Sequence, residues 1–387
     1  MPDIFEIDNE FVANTYNRFH LNLVEGKGSI IKDNNGKEYI DLGSGIGVTA
    51  FGIQDDEWKK AIINQLNKIQ HASNLYYTTP CAELAKLLCE KTGFKKVFFG
   101  NSGAEANECA IKIARKYAED KGIKDSKIIT LKNSFHGRTL ATLAATGQDV
   151  FHEDFLPVVS GFLYAEANNL SSIEELVKNN AISAIMMECI QGEGGVIVLD
   201  KEFVQGVYKI CQENDILMIV DEVQTGNGRT GKLYAYMNYD VMPDVVTTAK
   251  GLAGGLPMGA CLIGEKAKAT LGAGKHGSTF GGNPIAASGA ISIISRIDDN
   301  LLKDVETRSQ YIINELKNAP GVKSVSGMGL MLGVETEKPV KEVLAYLQEH
   351  GVLALSAKTK LRLLPALNIK MEDLKKAVSI IKDAVKE

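Results

Sequence analysis

Between residues 96 and 263 the chain alternates short apolar runs with longer stretches in which apolar side chains return every three or four positions. The short runs are Lys96–Gly100 (KVFFG), Lys127–Leu131 (KIITL), Ala184–Glu188 (AIMME), Ile216–Asp221 (ILMIVD), Val245–Thr248 (VVTT) and Gly259–Ile263 (GACLI). Each is bounded by Gly, Asn or charged residues, as strands buried on both faces are. Between them, Ala106, Ala110, Ile113 and Tyr117 recur on one face after the turn Asn101-Ser102-Gly103, and Phe203, Val207 and Ile210 recur before the fourth run. Those are helical spacings. Strand–helix alternation predicts an α/β fold: a mostly parallel sheet with helices on both faces. Active sites in such sheets lie beyond the carboxyl ends of the strands.

The rhythm changes after about Pro284. A long helical stretch leads to Val322–Val334 (VKSVSGMGLMLGV), a helix near Val340–His350, the run Leu361–Leu364 and a terminal helix from about Met371. This predicts a smaller α+β domain. The first fifty or so residues are loop- and strand-like. No repeat or low-complexity segment interrupts the pattern.

Composition narrows the class. The chain has 387 residues, room for two or three domains. With 43 Lys+Arg against 48 Asp+Glu the formal charge is −5, which argues against nucleic acid or an anionic membrane as the main partner. The opening residues carry acidic side chains and no basic-then-apolar stretch, so no signal peptide is expected. No apolar run approaches the roughly 18 residues of a membrane span. Six scattered Cys without a Cys-x-x-Cys read as reduced thiols of a cytoplasmic protein, and neither they nor the six His form a zinc cluster, so no metal is expected. Only glycine leans: 37 Gly against 9 Pro point to tight turns and close backbone approaches.

Some motifs mislead. Gly226-Asn227-Gly228-Arg229-Thr230-Gly231 matches the dinucleotide fingerprint, and with Lys232 it nearly matches a phosphate loop. Leu233 stands where a Ser or Thr would ligate magnesium, and Asp221-Glu222-Val223-Gln224 separates the strand from the glycines. His152-Glu153 lacks the second His of a zinc protease, and no G-x-S-x-G is present.

Three groups carry chemistry together. Asp221 closes an apolar run, which puts its carboxylate at a strand's carboxyl end beside Gln224. Lys250 closes VVTTA, and the following Gly251 leaves its amine room at the same edge. Asn101-Ser102-Gly103-Ala104 turns a strand into a helix, aiming free N–H groups and the positive helix end at an anion such as phosphate. Singly, these are also what a surface lysine, a helix cap and a strand-end aspartate look like. Together they fit pyridoxal 5'-phosphate: a lysine for a Schiff base, a carboxylate for the pyridinium nitrogen and a cup for the phosphate.

The run from Asp221 to Lys250 with its flanks (IVDEVQTGNGRTGKLYAYMNYDVMPDVVTTAKGLAGGLPMGA) resembles the signature of the class III, or ω-amino acid, aminotransferases, enzymes of fold-type I that depend on pyridoxal phosphate. HASNLYYTTP, FFGNSGAEANECAIKIARK, NSFHGRTLATLAATGQ, IQGEGGV, GSTFGGNP and the opening NTYNRFHLNLVEGKGS extend the likeness over nearly the whole chain, toward the branch that acts on acetylornithine. The resemblance implies an N-terminal segment (residues 1–58) packing with the small domain, a large cofactor-binding domain (59–283) and a small C-terminal domain (284–387).

It also implies roles. Lys250 matches the Schiff-base lysine, whose amine, once displaced by substrate, moves a proton between substrate carbon and cofactor. Asp221 matches the partner of the pyridine nitrogen, Gln224 the donor to the ring's phenolic oxygen and Phe135 the aromatic stacked on the ring. Ser102, Gly103 and Ala104 match the phosphate cup. Thr279 matches a residue that closes this cup from the partner subunit, which makes the enzyme a homodimer with its active sites at the interface; Ser278 beside it is assigned to the substrate pocket. Arg138 and Arg362 match two carboxylate-binding arginines, a task suited to the planar guanidinium. Glu193 matches a switch that pairs with Arg362 while the ω-amine donor is bound and releases it for the acceptor's α-carboxylate.

Ornithine aminotransferases carry a tyrosine at the position of Ile46, which cannot hydrogen-bond; Tyr16 keeps its family position. The combination implies an N-acylated donor. The expected reaction is ping-pong transfer of the δ-amino group of N2-acetylornithine to 2-oxoglutarate, a step of arginine biosynthesis. Related enzymes acting on succinyl-diaminopimelate, ornithine or 4-aminobutyrate are the close alternatives. The chain departs from the family pattern at Gly52–Asp56, at Cys189 and at Leu364–Leu367, none of which matches a cofactor residue.

Overall fold

The computed structural model describes residues 3–386; Met1, Pro2 and Glu387, the ends of the expected terminal segments, lie outside the described residues. Seven strands form the central sheet, in the spatial order Lys96–Gly100, Gly259–Ile263, Val245–Thr248, Leu217–Asp221, Ile182–Met187, Lys127–Leu131, Phe162–Ala165. All run parallel except Gly259–Ile263, which is antiparallel to both neighbours. Ile182–Met187, Leu217–Asp221, Val245–Thr248 and Gly259–Ile263 are buried at every position, which is why they read as continuous apolar runs. Phe162–Ala165 is the strand the apolar runs did not predict. It lies at the sheet's edge and is mostly half-buried, so its sequence is under weaker pressure to be apolar.

The helix Gly103–Glu119 shows how sequence sets position. Ser102 caps it, its hydroxyl accepting from the Glu105 N–H at 3.1 Å. Ala106, Cys109, Ala110, Ile113 and Ala114 form its buried stripe against the sheet. Burying that stripe fixes the helix axis, and therefore where its N-terminus points.

The C-terminal region contains the hairpin Val322–Met328/Met331–Thr336, extended by Lys360–Leu363 and Leu355–Ala357. Register Gly333↔Arg362 places Arg362 in the middle of this sheet. The N-terminal strands Leu23–Lys27, Ile30–Asp33 and Glu38–Asp41 form a second small sheet, to which Val352–Leu353 adds in parallel with Val352 opposite Ile40. No helix among the described residues is long and apolar enough to cross a membrane.

The antiparallel strand approaches the helix-capping turn closely. A methyl group on Gly259 would lie 2.0 Å from the Ser102 carbonyl oxygen, backbone that cannot swing aside. Gly259→Ala is therefore expected to lower stability by at least the ~1–3 kcal/mol typical of overpacking. A fall in melting temperature for the purified variant checks this; an unchanged melt would show that the turn yields.

Candidate active site

Carboxyl ends of five parallel strands converge on one cavity of about 580 Å³. Asn101, Ser102, Gly103 and Ala104 follow Lys96–Gly100; Phe135, His136 and Arg138 follow Lys127–Leu131; Glu188 follows Ile182–Met187; Asp221 ends its strand with Val223 and Gln224 just beyond; Ala249 and Lys250 follow Val245–Thr248. Tyr16 and Val48 reach it from the N-terminal region.

At the centre lies the Asp221 carboxylate, only 4% exposed. Its Oδ2 accepts from Asn107 Nδ2 and from His136 Nδ1, each at 2.8 Å, and its Oδ1 accepts from the Val223 N–H at 3.0 Å. The Thr247 hydroxyl, at 2.6 Å from Asn107 Oδ1, fixes which end of that amide faces Asp221. A carboxylate offers about four acceptor lobes. Three are filled, which leaves one on Oδ1 for a further donor. The Nε2 of His136 is buried and has no hydrogen-bond partner among the described residues.

Lys250 is half-buried, and its amine makes no hydrogen bond or ion pair with any described residue. Burial lowers its pKa; the charges of Glu193 and Asp221 push the other way, and burial prevails. Its backbone has φ +44°, an uncommon conformation for a non-glycine residue. Asn227 braces the preceding residues, donating through Nδ2 to the Ala249 carbonyl and the Thr248 hydroxyl, both at 3.1 Å. The glycine-rich loop that mimics a nucleotide motif is thus a buttress. Its Arg229, also buried, donates to the carbonyls of Leu330 and Pro365 and lies against Gly47.

Gly103 opens the helix with its Cα against Val223, where an added methyl would sit 2.7 Å from Cγ1. Only glycine lets the helix end come this close to the Asp221 turn. The result is a cup of backbone N–H groups at a positive helix end.

Gln224, Glu193 and Arg362 form a second cluster. Arg362 Nη1 donates to Glu193 Oε1 at 2.5 Å and to Gln224 Oε1 at 3.1 Å, and Gln224 Nε2 donates to Glu193 Oε1 at 3.2 Å. Gln224 lines the cavity; Glu193 and Arg362 stand behind it. Burial raises the pKa of Glu193, but the Arg362 charge and hydrogen bond outweigh it and the net shift is downward. The stability this pair contributes is therefore complete above the ordinary carboxylate range and is lost as pH falls through the lowered value.

Other expected residues are placed differently. Arg138 is exposed at the mouth, with its guanidinium 4.3 Å from the Phe151 ring centroid and 5.6 Å from that of Phe135. Ile46 is exposed within Ser44–Gly47, a turn whose four residues all have positive φ; Val48, not Ile46, touches the cavity. Ser278 and Thr279 do not line the cavity of their own chain. The Ser278 hydroxyl accepts from Asn101 Nδ2 and from its own turn, and Thr279 faces solvent. Sequence reasoning missed Asn107, His136 and Glu188. Asn107 sits one turn into the capped helix and His136 beside Phe135, positions that could have been suspected of facing Asp221.

A half-buried lysine without a partner, a fixed carboxylate with one open lobe and an anion cup define an enzyme that works on amines with a phosphorylated carbonyl cofactor. A family model for class-III aminotransferases matches residues 11–385. The chain belongs to that family. It is 48% identical to the acetylornithine aminotransferase of Haemophilus ducreyi, over 99% of this chain and 98% of that protein. Among solved structures, the N-acetylornithine aminotransferase of Stenotrophomonas maltophilia superposes with a TM-score of 0.86 at 32% identity, covering 99% of this chain and 98% of that one. An ornithine aminotransferase of Toxoplasma gondii, described with partial occupancy of PLP at its active site, superposes at 0.93 and 30% identity, covering 99% and 93%. Family and fold make this a fold-type I enzyme dependent on pyridoxal 5'-phosphate. The residues present fit that group: the cup for its phosphate, the open lobe of Asp221 for its ring nitrogen, Phe135 for its face and Lys250 for its aldehyde.

The donors to Asp221 are testable. Asn can place its amide nitrogen where His136 carries Nδ1, whereas Leu cannot donate. His136→Leu should weaken pyridoxal phosphate binding about tenfold, the scale of one hydrogen bond to a charged group, and His136→Asn should restore most of it. Absorbance titration with the cofactor checks both; equal affinities in wild type and His136→Leu would show that Asn107 and Val223 suffice.

Proposed function

We propose that this chain transfers the δ-amino group of N2-acetylornithine to 2-oxoglutarate, giving N-acetylglutamate 5-semialdehyde and glutamate, in the cytoplasm and as a step of arginine biosynthesis. One observation carries the choice. The two arginines are in opposite states: Arg362 is paired with Glu193, whereas Arg138 makes no ion pair with any described residue. A donor with a single carboxylate needs only Arg138. An acceptor with two carboxylates needs Arg362 as well, and can draw it from Glu193. Acetylation removes the donor's α-ammonium charge, and the carboxylates that line the cavity, Asp221 and Glu188, are both buried deep at strand ends. The likeness to acetylornithine aminotransferases along the whole chain supports the same reading.

Pyridoxal phosphate, when bound, supplies a ring that accepts the electrons left when a proton departs from the reacting carbon. The chain does the rest. Ser102–Ala104 would hold the phosphate, Asp221 would keep the ring nitrogen protonated, Phe135 would cover the ring and Gln224 would donate to its phenolic oxygen. Lys250, lowered in pKa by burial, takes the proton from one atom and returns it to another within reach of its flexible stem. Because the amino group leaves the first substrate before the second arrives, one pocket serves both in ping-pong order.

The partner subunit completes the site. Leu75, Tyr76, Tyr77 and Phe280 are exposed apolar side chains, and Asn74 ties their two segments together through the carbonyls of Ser278 and Gly281. A second copy covering this surface brings Thr279 toward the phosphate cup of its neighbour, so the functional unit is a homodimer.

A donor panel with 2-oxoglutarate tests the specificity: kcat/KM for N2-acetylornithine should exceed that for ornithine, succinyl-diaminopimelate and 4-aminobutyrate, and a higher value for any of these would replace the assignment. Lys250→Ala should bind cofactor yet fail to turn over repeatedly. Glu193→Ala leaves Arg362 unmasked and should slow the donor half-reaction more than the acceptor half-reaction; equal rates to wild type in both would remove the switch.

A further inference from the structure

Glu188 lines the cavity, but neither the chemistry at Asp221 nor the arginine pair gives it a task. It follows the strand Ile182–Met187 directly and is 5% exposed. Its Oε1 accepts from the Phe135 N–H at 2.9 Å, and its Oε2 from the Gly192 N–H at 3.1 Å. The two donors belong to different walls. Phe135 brings the stacking ring. Gly192 is pressed on the Gln224 amide, where an added methyl would lie 2.5 Å from Oε1. One carboxylate thus ties the face of the cofactor pocket to the wall that carries Gln224, Glu193 and, through them, Arg362.

Holding both walls requires two acceptor oxygens. The ionised carboxylate has them; a carboxylic acid turns one into a hydroxyl, an uncharged and much poorer acceptor whose hydrogen must also turn away from the N–H. The charged and titratable groups that face Glu188 are His136 from the segment bearing Phe135, Asp221 at the neighbouring strand end, Lys250 beyond it and the adjacent Cys189 thiol. Burial pushes the Glu188 carboxyl up and Asp221 adds to this, while His136 and the two N–H donors oppose it; the outcome is about 7.

We propose that Glu188 is a positioning residue for the transamination: ionised, it clamps Phe135 and Gly192 about the cofactor ring, and on taking a proton it releases one of them. This rests on the reading of the cavity as the pyridoxal phosphate site. The sign follows from geometry, since the clamp exists only above the carboxyl's own titration and loosens as pH falls through it.

The test compares the wild-type holoenzyme with Glu188→Gln, whose amide keeps the shape but must turn an N–H toward one of the two donors. The readout is the ratio of circular dichroism to absorbance in the cofactor's visible band, from about pH 5.5 to 8.5. This ratio reports how firmly the ring is held. In wild type it should fall on acidification with a midpoint near pH 7. In the variant it should be lower and flat through that window, with cofactor released about tenfold more readily. Superimposable curves and equal cofactor retention in the two proteins would overturn the proposal, as would a wild-type ratio constant over the range, a result that counts even if the variant does not fold. Wild-type protein that shows no visible band with added pyridoxal phosphate would instead overturn the cofactor assignment, and this proposal with it.

Discussion

A single buried charge organises this molecule. The Asp221 carboxylate stands at the end of a strand inside the sheet, shielded from water, where an unpaired ion would be prohibitively costly. Its three donors come from three separate segments: the helix Gly103–Glu119 through Asn107, the turn after Lys127–Leu131 through His136, and its own turn through Val223. Thr247, opposite Asp221 in the neighbouring strand, sets the Asn107 amide. Satisfying that charge brings together the helix end that makes the anion cup, the segment that carries Phe135 and the strand that leads to Lys250. The binding site is the geometric consequence of neutralising one carboxylate without filling its last lobe.

The other charges are graded by depth. Lys250 is half-buried at the cavity, and desolvation weakens its hold on a proton. Arg362 is buried but masked by Glu193, and Arg138 waits at the surface over two aromatic rings. One guanidinium is thus free at the mouth and the other is neutralised in the wall, the contrast on which the proposed use of one pocket by two substrates rests. Glu222, pushed to about 7 by burial, shows that depth alone does not make a group chemical: it accepts from Thr225, Ala235 and Tyr236 and only shapes the loop beyond Asp221.

Much of this was legible in the linear chain. Strands buried on both faces announce themselves as apolar runs, and six of the seven central strands were found with boundaries within two residues. The seventh, Phe162–Ala165, is an edge strand without that signal. Lys250, Asp221 and the helix-capping turn could be read because strand ends are marked by where apolar runs stop. The glycine loop Gly226–Gly231 could be rejected as a nucleotide site, yet its actual work was hidden: Asn227 and Arg229 act on backbone far away in sequence. The left-handed turn at Ile46 was equally hidden, since a β-branched residue disfavours that conformation and only surrounding contacts hold it there.

Sequence by itself determined the layer architecture, the family and the positions of lysine, aspartate and anion cup, because these follow from local periodicity and from residues adjacent to strand ends. Tertiary structure alone decided that His136 and Asn107 serve Asp221, that Glu188 spans two walls and that Arg362 rests on Glu193. These partners lie 85, 114, 53 and 169 residues apart in the case of His136–Asp221, Asn107–Asp221, Glu188–Phe135 and Arg362–Glu193. No local pattern encodes such a pairing, since hydrogen bonds of a few ångströms depend on how the strands are ordered across the sheet and not on how they follow one another along the chain.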